Sequence, residues 1–197
     1  TSFTEIMKSQ GKIPSSQLIS YRRTLPSERE VEKLCIHKTE NIIRMERVRY
    51  ADDIPVVYEV ASIPEKYIKN FKKEEVTSHF FQTLQEHGYK IGKSQQTIYA
   101  RLAKEKIAKY LGISRGHAIL GLTQVSYFDD GTAFEYVKSQ YVGERFEFYL
   151  ENNWLHNLNY VTQKTVIRQF FYNSLFSNIP KEWSLKGLFG IIFFMEI

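Results

Sequence analysis

The chain has 197 residues, of which 43% are hydrophobic and 15% aromatic, and this is enough apolar material to bury the core of a globular protein. Lys and Arg number 27 against 22 Asp and Glu, and the net charge of +5 favours anionic partners but also fits an ordinary solvated surface. The single cysteine, Cys35, excludes an intrachain disulfide and a thiolate metal cluster and fits a reducing compartment.

Residues 1–26 show no basic segment followed by an apolar core, so this stretch carries no secretory signal. No apolar run reaches the roughly 18 residues that a membrane-spanning helix needs. We therefore expect a soluble cytoplasmic protein with no membrane partner. Because the sequence begins at Thr1 without an initiator methionine, we also expect it to be a piece of a longer protein.

A short helix and a hairpin are predicted next. Ser27 fits an N-cap, with Glu30 three residues later at the spacing of a capping box, and Leu34 lies on the apolar stripe that follows. β-branched and aromatic residues then flank Asp52-Asp53 on both sides, which is the pattern of an antiparallel hairpin.

The middle of the chain predicts one helix and one further strand. Val76, Phe80 and Leu84 recur every four residues, which indicates a helix over about residues 73–87. Residues 89–102 alternate between apolar and polar side chains well enough to form a strand.

The helix and the hairpin then occur a second time. EKLCIHKTENIIRMERVRYADD overlays KYLGISRGHAILGLTQVSYFDD with Leu34 on Leu111, and the offset 111 − 34 = 77 serves every matched pair. In the second copy Gly112 follows the helical stripe and can end the helix in the left-handed conformation. We therefore expect an α+β fold, an antiparallel sheet with helices against one face, built from two repeated helix-hairpin units.

Polar residues on these hairpins suggest a binding site. The period of two places Arg47 and Arg49 on one face of the first hairpin, after Ile43 and Met45. Two guanidinium groups carried into a cleft would suit a phosphate or a carboxylate. The alternative is a pair of surface arginines whose stems cover the rim of the core.

The neighbouring strands extend this polar face. Glu59 either neutralises an arginine in a salt bridge or accepts a hydrogen bond from a ligand hydroxyl. On the second hairpin Glu135, Ser139 and Tyr141 share one face. A pocket between the two hairpins would suit a small ligand with hydroxyls and one anionic group.

The sequence shows no pattern typical of a metal site, a catalytic site or a nucleic-acid groove. The histidines show no metal-ligand spacing, and neither a nucleophile elbow nor a glycine-rich phosphate loop is present. The basic residues near Lys72 and Lys104 fit solvated helix faces better than a nucleic-acid groove. We expect no metal, no cofactor, no catalytic residue and no enzymatic activity.

Four sequence blocks carry a family resemblance: SFTEIMKSQGKIPSSQLIS, IIRMERVRYADDIPVVYE, QQTIYARLA and VSYFDDGTAFEYVKSQYVGERFEFYLE. Together they resemble the UTRA domain, the ligand-sensing part of GntR-type transcription repressors of the HutC subfamily. The resemblance covers about residues 1–151 and implies a chorismate-lyase-like fold, a homodimer, and binding of operator DNA through a winged helix-turn-helix domain, which we expect to be missing from this chain. A chorismate-lyase-like enzyme is the alternative on the same fold.

The resemblance also implies roles for particular residues in binding a sugar phosphate, such as an amino-sugar phosphate. Phe3, Thr4, Arg47 and Arg49 correspond to the residues that hold the phosphate in the family. Those on the sugar side correspond to Glu59, Glu135 and Tyr141, and Ser139 lies on the same strand face.

Two departures from the family pattern stand out. Where the family often presents Ser-x-Tyr to the ligand, this chain has Ser78, His79 and Phe81, so either Ser78 binds, or His79 and Phe81 take that place. Residues 152–197 extend past the usual family end, either as an added structural element or as sequence without an evolved fold.

Overall fold

The structure, a computed structural model, describes residues 3–152 and 163–166. Its helices and strands are α1 (Phe3–Ser9), β1 (Pro14–Thr24), α2 (Glu28–Leu34), β2 (Ile42–Ala51), β3 (Ile54–Pro64), a 3-10 turn (Glu65–Tyr67), α3 (Lys73–Ser78), α4 (Phe80–Glu86), β4 (Ile91–Leu102), α5 (Glu105–Leu111), β5 (Ala118–Phe128), β6 (Ala133–Val142), β7 (Tyr149–Asn152) and β8 (Gln163–Val166).

The main sheet has six strands in the order β1-β2-β3-β6-β5-β4, and every neighbouring pair is antiparallel. The predicted α+β class and both predicted hairpins are confirmed. β7 and β8 form a separate antiparallel pair. Apart from Asn152 and β8, the predicted tail, residues 152–197, lies outside the described residues, and the expected domain end at Glu151 stays a prediction.

Helix ends follow the sequence signals closely. The carboxylate of Glu30 accepts hydrogen bonds from the backbone N–H and the hydroxyl of Ser27, both at 2.7 Å, which starts α2 as the capping box predicts. Gly112 ends α5 in the left-handed region at φ 61°. Cys35 ends α2 in the same region at φ 51°, where a side chain costs free energy that glycine avoids.

Substitutions at the two left-handed helix ends, Cys35 and Gly112, are expected to change the free energy of unfolding in opposite directions. Because 112 − 35 = 77, Cys35 and Gly112 occupy equivalent positions of the two repeats. We expect Cys35→Gly to raise the free energy of unfolding by about 0.5 to 1 kcal/mol, and Gly112→Ala to lower it by a similar amount. Urea denaturation followed by circular dichroism measures both, and a destabilising Cys35→Gly would contradict the argument.

One predicted helix is divided. Residues 73–87 form two helices, because His79 leaves the helical region at φ −133° between α3 and α4. Val76, Phe80 and Leu84 are nevertheless all buried in one cluster. Their four-residue spacing therefore indicates that the three side chains are buried on the same side of the segment, and it does not indicate an unbroken helix.

The helices also cover both faces of the sheet, so the expectation of one covered face is wrong. α2 and α5 pack on the face that carries Arg44 and Glu46, through Leu34 against Ile42 and through Leu111 against Val48. The other face, which carries Ile43, Met45, Arg47 and Arg49, is called here the arginine face. α3 and α4 pack on it beside Ile43, and α1 packs on it beside Val57.

The repeat is longer than the sequence comparison indicated. With the same offset of 77, α1-β1-α2-β2-β3 corresponds to α4-β4-α5-β5-β6, and Phe3 corresponds to Phe80. Gly11 and Gly88 end α1 and α4 with φ 73° and 84°, and each amide donates to a carbonyl three residues earlier at 3.0 Å. Because β3 pairs with β6 at the centre, the two repeats meet across an approximate two-fold axis.

Candidate functional site

The register of the sheet brings predicted site residues into two rows on the arginine face. Arg47 lies opposite Glu59, and Glu59 lies opposite Ser139 on β6. One row further along, Arg49 lies opposite Val57, which pairs with Tyr141. Residues predicted to act together from two separate hairpins are therefore neighbours across β2, β3 and β6.

The guanidinium of Arg47 donates its hydrogen bonds to other groups of the protein. Its Nε donates to Oε1 of Glu59 at 2.7 Å, and its Nη1 donates to the backbone carbonyl of Thr77 at 2.8 Å. Burial opposes the ionisation of Glu59, but the charges of Arg47 and Arg49 outweigh it and lower the pKa of this carboxyl. The structure shows the salt bridge that was one of the two sequence alternatives for Glu59, and acceptance of a hydrogen bond from a ligand hydroxyl stays a prediction.

Arg49 retains an unused donor. Its Nη2 donates to the hydroxyl of Thr4 at 3.0 Å, and its guanidinium carbon lies 4.8 Å from the centre of the Phe3 ring. Its Nε is buried and has no hydrogen-bond partner within the described part of the chain. Burial, followed by the charge of Arg47, lowers the pKa of Arg49 to about 10, so the group stays cationic at neutral pH.

Arg47, Arg49, Glu59 and Glu135 interact electrostatically and are called here the charged cluster, in which Glu135 is the less ionised of the two carboxyls. It is buried, and the hydroxyl of Ser126 donates to its Oε2 at 3.3 Å. Burial, reinforced by the charge of Glu59, raises its pKa to about 7. When Glu135 is protonated, Arg47 and Arg49 oppose only Glu59, and the cluster carries one positive charge in excess.

Tyr141 is held by aromatic side chains that the sequence reasoning did not select. Its ring stacks on Phe146 with centroids 4.0 Å apart, and Phe148 meets it edge-on at 5.3 Å. Burial and the charge of Glu59 raise the pKa of its hydroxyl, which stays a neutral hydrogen-bonding group. The alternation of Phe146 and Phe148 in the FEF motif is the signal that could have identified them.

The junction of α3 and α4 contributes differently from the expectation. Ser78 and His79 are both exposed there, and Phe81 is partly exposed at 37%. The contact that reaches the cluster comes from the carbonyl of Thr77, which no side-chain pattern could reveal. Ligand binding by Ser78 and His79 stays a prediction.

Other features of the molecule lie apart from this cluster. A shallow cavity of about 380 Å³ is lined by Tyr67, Tyr89, Phe128 and Asp129 at the end of β5. Over residues 3–152 and 163–166, no three His, Cys, Asp or Glu side chains are grouped closely enough to hold a metal ion. In the same residues no helix has the length and apolar character needed to cross a membrane.

The fold and the charged cluster on one face of its sheet define an effector-binding domain. Residues 9–147 match the family model of the UTRA domain, and the chain belongs to that family. This confirms the resemblance to the UTRA domain that the four sequence blocks carry.

Known proteins place the family among transcription regulators. The chain is 34% identical over 153 residues to the HTH-type transcriptional repressor NagR of Bacillus subtilis (strain 168), an alignment that covers 75% of this chain and 61% of NagR. The crystal structure of a GntR-family transcriptional regulator from Enterococcus faecalis V583 is 54% identical, covers 70% of this chain and 99% of its own, and superposes with a TM-score of 0.68.

A second solved structure, of the possible transcriptional regulator YydK from Bacillus subtilis, is 27% identical with a TM-score of 0.68 and covers 71% of this chain and 62% of its own. The chain thus spans about three fifths of the length of NagR and YydK. These relatives are named as transcription regulators, in agreement with the family expected from the sequence.

Proposed function

We propose that this domain is the effector sensor of a GntR-family transcription repressor of the HutC type, and that it binds a small phosphorylated sugar on the arginine face. A separate winged-helix domain would contact operator DNA, and the effector would change the orientation of such domains. For that, the effector must bind two states of the regulator with different affinities. Membership of the UTRA family and the similarity to NagR, which is named a repressor, support this proposal.

The observation that carries the anionic part of the proposal is the state of Arg49. A buried donor without a hydrogen-bond partner is rare in proteins, because the loss of hydration is not compensated. The Nε of Arg49 is such a donor, and it lies in a cluster that has one positive charge in excess when Glu135 is protonated. A phosphate oxygen would supply both the missing acceptor and the missing negative charge.

The sugar part of the proposal rests on the groups that surround the arginines. Glu59, Glu135, Ser139 and Tyr141 offer hydrogen-bond acceptors and donors on the central strands of the same face. Such a set suits the hydroxyl groups of a sugar better than an apolar ligand. Phe3 and Thr4 of α1 would complete the phosphate end of the site.

Isothermal titration with a panel of sugar phosphates and the corresponding free sugars tests the proposal. We expect one or more phosphorylated sugars to bind, and each to bind more tightly than its unphosphorylated form. Binding of uncharged metabolites with no binding of any phosphorylated sugar would contradict the assignment of the phosphate end.

We also propose that the domain forms a two-fold homodimer, as the family resemblance implies. The edge strand β4 exposes Ile98 and Leu102, and the other edge strand, β1, exposes Leu18. Multi-angle light scattering at micromolar concentrations is expected to give twice the mass of one chain. A mass of one chain over the whole concentration range would contradict the dimer.

A further inference from the structure

A directional chain of hydrogen bonds leads from the exposed edge of the sheet to the buried carboxyl of Glu135. The side-chain amide of Gln96 on β4 donates to Oε1 of Gln124 on β5 at 2.6 Å. The amide of Gln124 donates to the hydroxyl oxygen of Ser126 at 2.9 Å. Ser126 in turn donates to Oε2 of Glu135 at 3.3 Å.

The direction of these bonds determines which oxygen of Glu135 is left for other partners. A serine hydroxyl has one hydrogen, and Gln124 occupies an acceptor position on Ser126, so the hydroxyl hydrogen is directed to Glu135. Oε2 therefore acts as the acceptor within the chain. If Glu135 is protonated, its hydrogen resides on Oε1, and that oxygen becomes a donor.

We propose that Gln124 and Ser126 are positioning residues that orient the carboxyl of Glu135, so that Oε1 faces the effector and donates a hydrogen bond to it when the carboxyl is neutral. The effector part of this inference rests on the proposed function. The positioning part concerns the ligand-free domain and can be measured without an effector.

The internal repeat gives a second, independent reason. Ser126 and Gln124 stand 77 residues after Arg49 and Arg47, on the equivalent strand and the same face of the sheet. The first repeat thus presents two cations to the shared face, and the second presents uncharged hydrogen-bonding groups beside a carboxyl. A ligand across the two-fold axis would place its anionic end at the first repeat and its hydroxyl groups at the second.

The charged groups around Glu135 come from several elements. Glu59 on β3 disfavours its ionisation, while Arg47 and Arg49 on β2 favour it, and burial decides the balance towards the neutral acid. α3, which packs on the same face, carries the titratable side chains of Glu74 and Glu75, and His79 follows this helix.

The inference predicts how binding depends on pH. A pKa of about 7 for Glu135 means that the donor form is lost as the pH rises through 7. If only that form binds, affinity should fall about tenfold between pH 6 and pH 8. The hydrogen bond from Ser126 favours the ionised form, so its removal should raise the pKa of Glu135 by about 0.5 or more and move the fall in affinity to higher pH.

The experiment compares the full chain with Ser126→Ala, and with Thr123→Ala as a control that removes a hydroxyl from the opposite face of the same strand. Carboxyl ¹³C NMR of the ligand-free proteins, with the Glu135 signal identified from Glu135→Gln, gives the pKa directly. Calorimetry with N-acetylglucosamine 6-sulfate gives the affinity, because neither its sulfate nor its acetylated amine titrates between pH 6 and 8.

We expect Ser126→Ala to raise both the NMR pKa of Glu135 and the midpoint of the affinity profile, and Thr123→Ala to leave both unchanged. Unchanged values in Ser126→Ala, or a wild-type affinity that is independent of pH, would overturn the positioning role while leaving the proposed function intact. If the sulfate ester does not bind but the NMR pKa moves as expected, the positioning of Glu135 holds and its role as a donor to this ester fails, while the panel of sugar phosphates decides the proposed function separately.

Discussion

Replacement of Arg49 with alanine is expected to weaken the binding of a phosphorylated sugar by about tenfold to a hundredfold. A charge-assisted hydrogen bond to a phosphate contributes about 1.5 to 3 kcal/mol, and Arg49 is the arginine of the pair with an unused buried donor. The unphosphorylated sugar should lose little affinity, because it does not contact this end of the site. Calorimetry with each phosphorylated sugar and its free form measures the ratio of the two dissociation constants.

Three further variants make this result interpretable. Arg49→Lys should restore only part of the affinity, since an ammonium supplies charge without the planar fork of donors. Arg22→Ala, which removes an exposed arginine from the opposite face, should leave the ratio unchanged. Glu59→Gln should preserve the preference for phosphate and alter the preference for the sugar. An unchanged ratio in a folded Arg49→Ala protein would mean that this arginine is structural.

Arg47 is a poorer position for the same test. It forms a buried ion pair with Glu59 and donates to the carbonyl of Thr77, so its removal leaves an unpaired carboxylate in the core. A loss of binding in Arg47→Ala would then mix lost contacts with lost stability. The sequence predicted the two arginines as equivalent members of a pair, and their hydrogen bonds show that they are not.

Local signals explain which parts of the fold the sequence could predict. The hairpins are bounded by acidic turns and alternate regularly, and the capping box at Ser27 and the terminal Gly112 mark helix ends through interactions within a few residues. α1 and β1 carry weaker signals and were not predicted. α1 has seven residues and buries only Phe3 and Met7, and β1 is a largely exposed edge strand without a continuous apolar face.

The site shows the same division between local and long-range information. The period of two was sufficient to place Arg47 and Arg49 together on one face of the first hairpin, and Glu135 and Tyr141 together on one face of the second hairpin. That these two hairpin faces form one face of the sheet depends on the pairing of β3 with β6, which joins residues far apart in the chain. The contact with Thr77 depends on how α3 packs on the sheet, and no single-residue pattern encodes it.

Replacement of Glu30 with alanine is expected to lower the free energy of unfolding by about 3 to 5 kcal/mol, because it leaves a partly buried guanidinium without its partner. The carboxylate of Glu30 is 4% exposed and accepts from the Nε of Arg44 at 2.9 Å and from the hydroxyl of Ser62 at 2.6 Å. Glu40→Ala is the matched control: its carboxylate forms an exposed pair with Lys66 and accepts from the backbone N–H of His37 at 2.7 Å, and its loss at this exposed position should cost only about 1 kcal/mol.

The dependence of stability on pH separates the charge of Glu30 from its packing. Burial opposes ionisation, but the hydrogen bonds from Arg44, Ser62 and Ser27 together outweigh it and lower the pKa of Glu30 from 4.5 to about 2. A depressed pKa stabilises the fold fully above the unfolded value of 4.5, and this contribution, about 3 kcal/mol, is lost as the pH falls towards 2.

Urea denaturation at pH 6 and at intervals down to pH 3 should therefore show a loss of stability in the wild-type chain that is clearly smaller in Glu30→Ala. Glu135, with its raised pKa, acts in the opposite direction and in a higher range, because its contribution is present below pH 4.5 and is lost as the pH rises through 7. An equally steep loss below pH 4.5 in Glu30→Ala and in the wild-type chain would assign the acid sensitivity to other carboxylates.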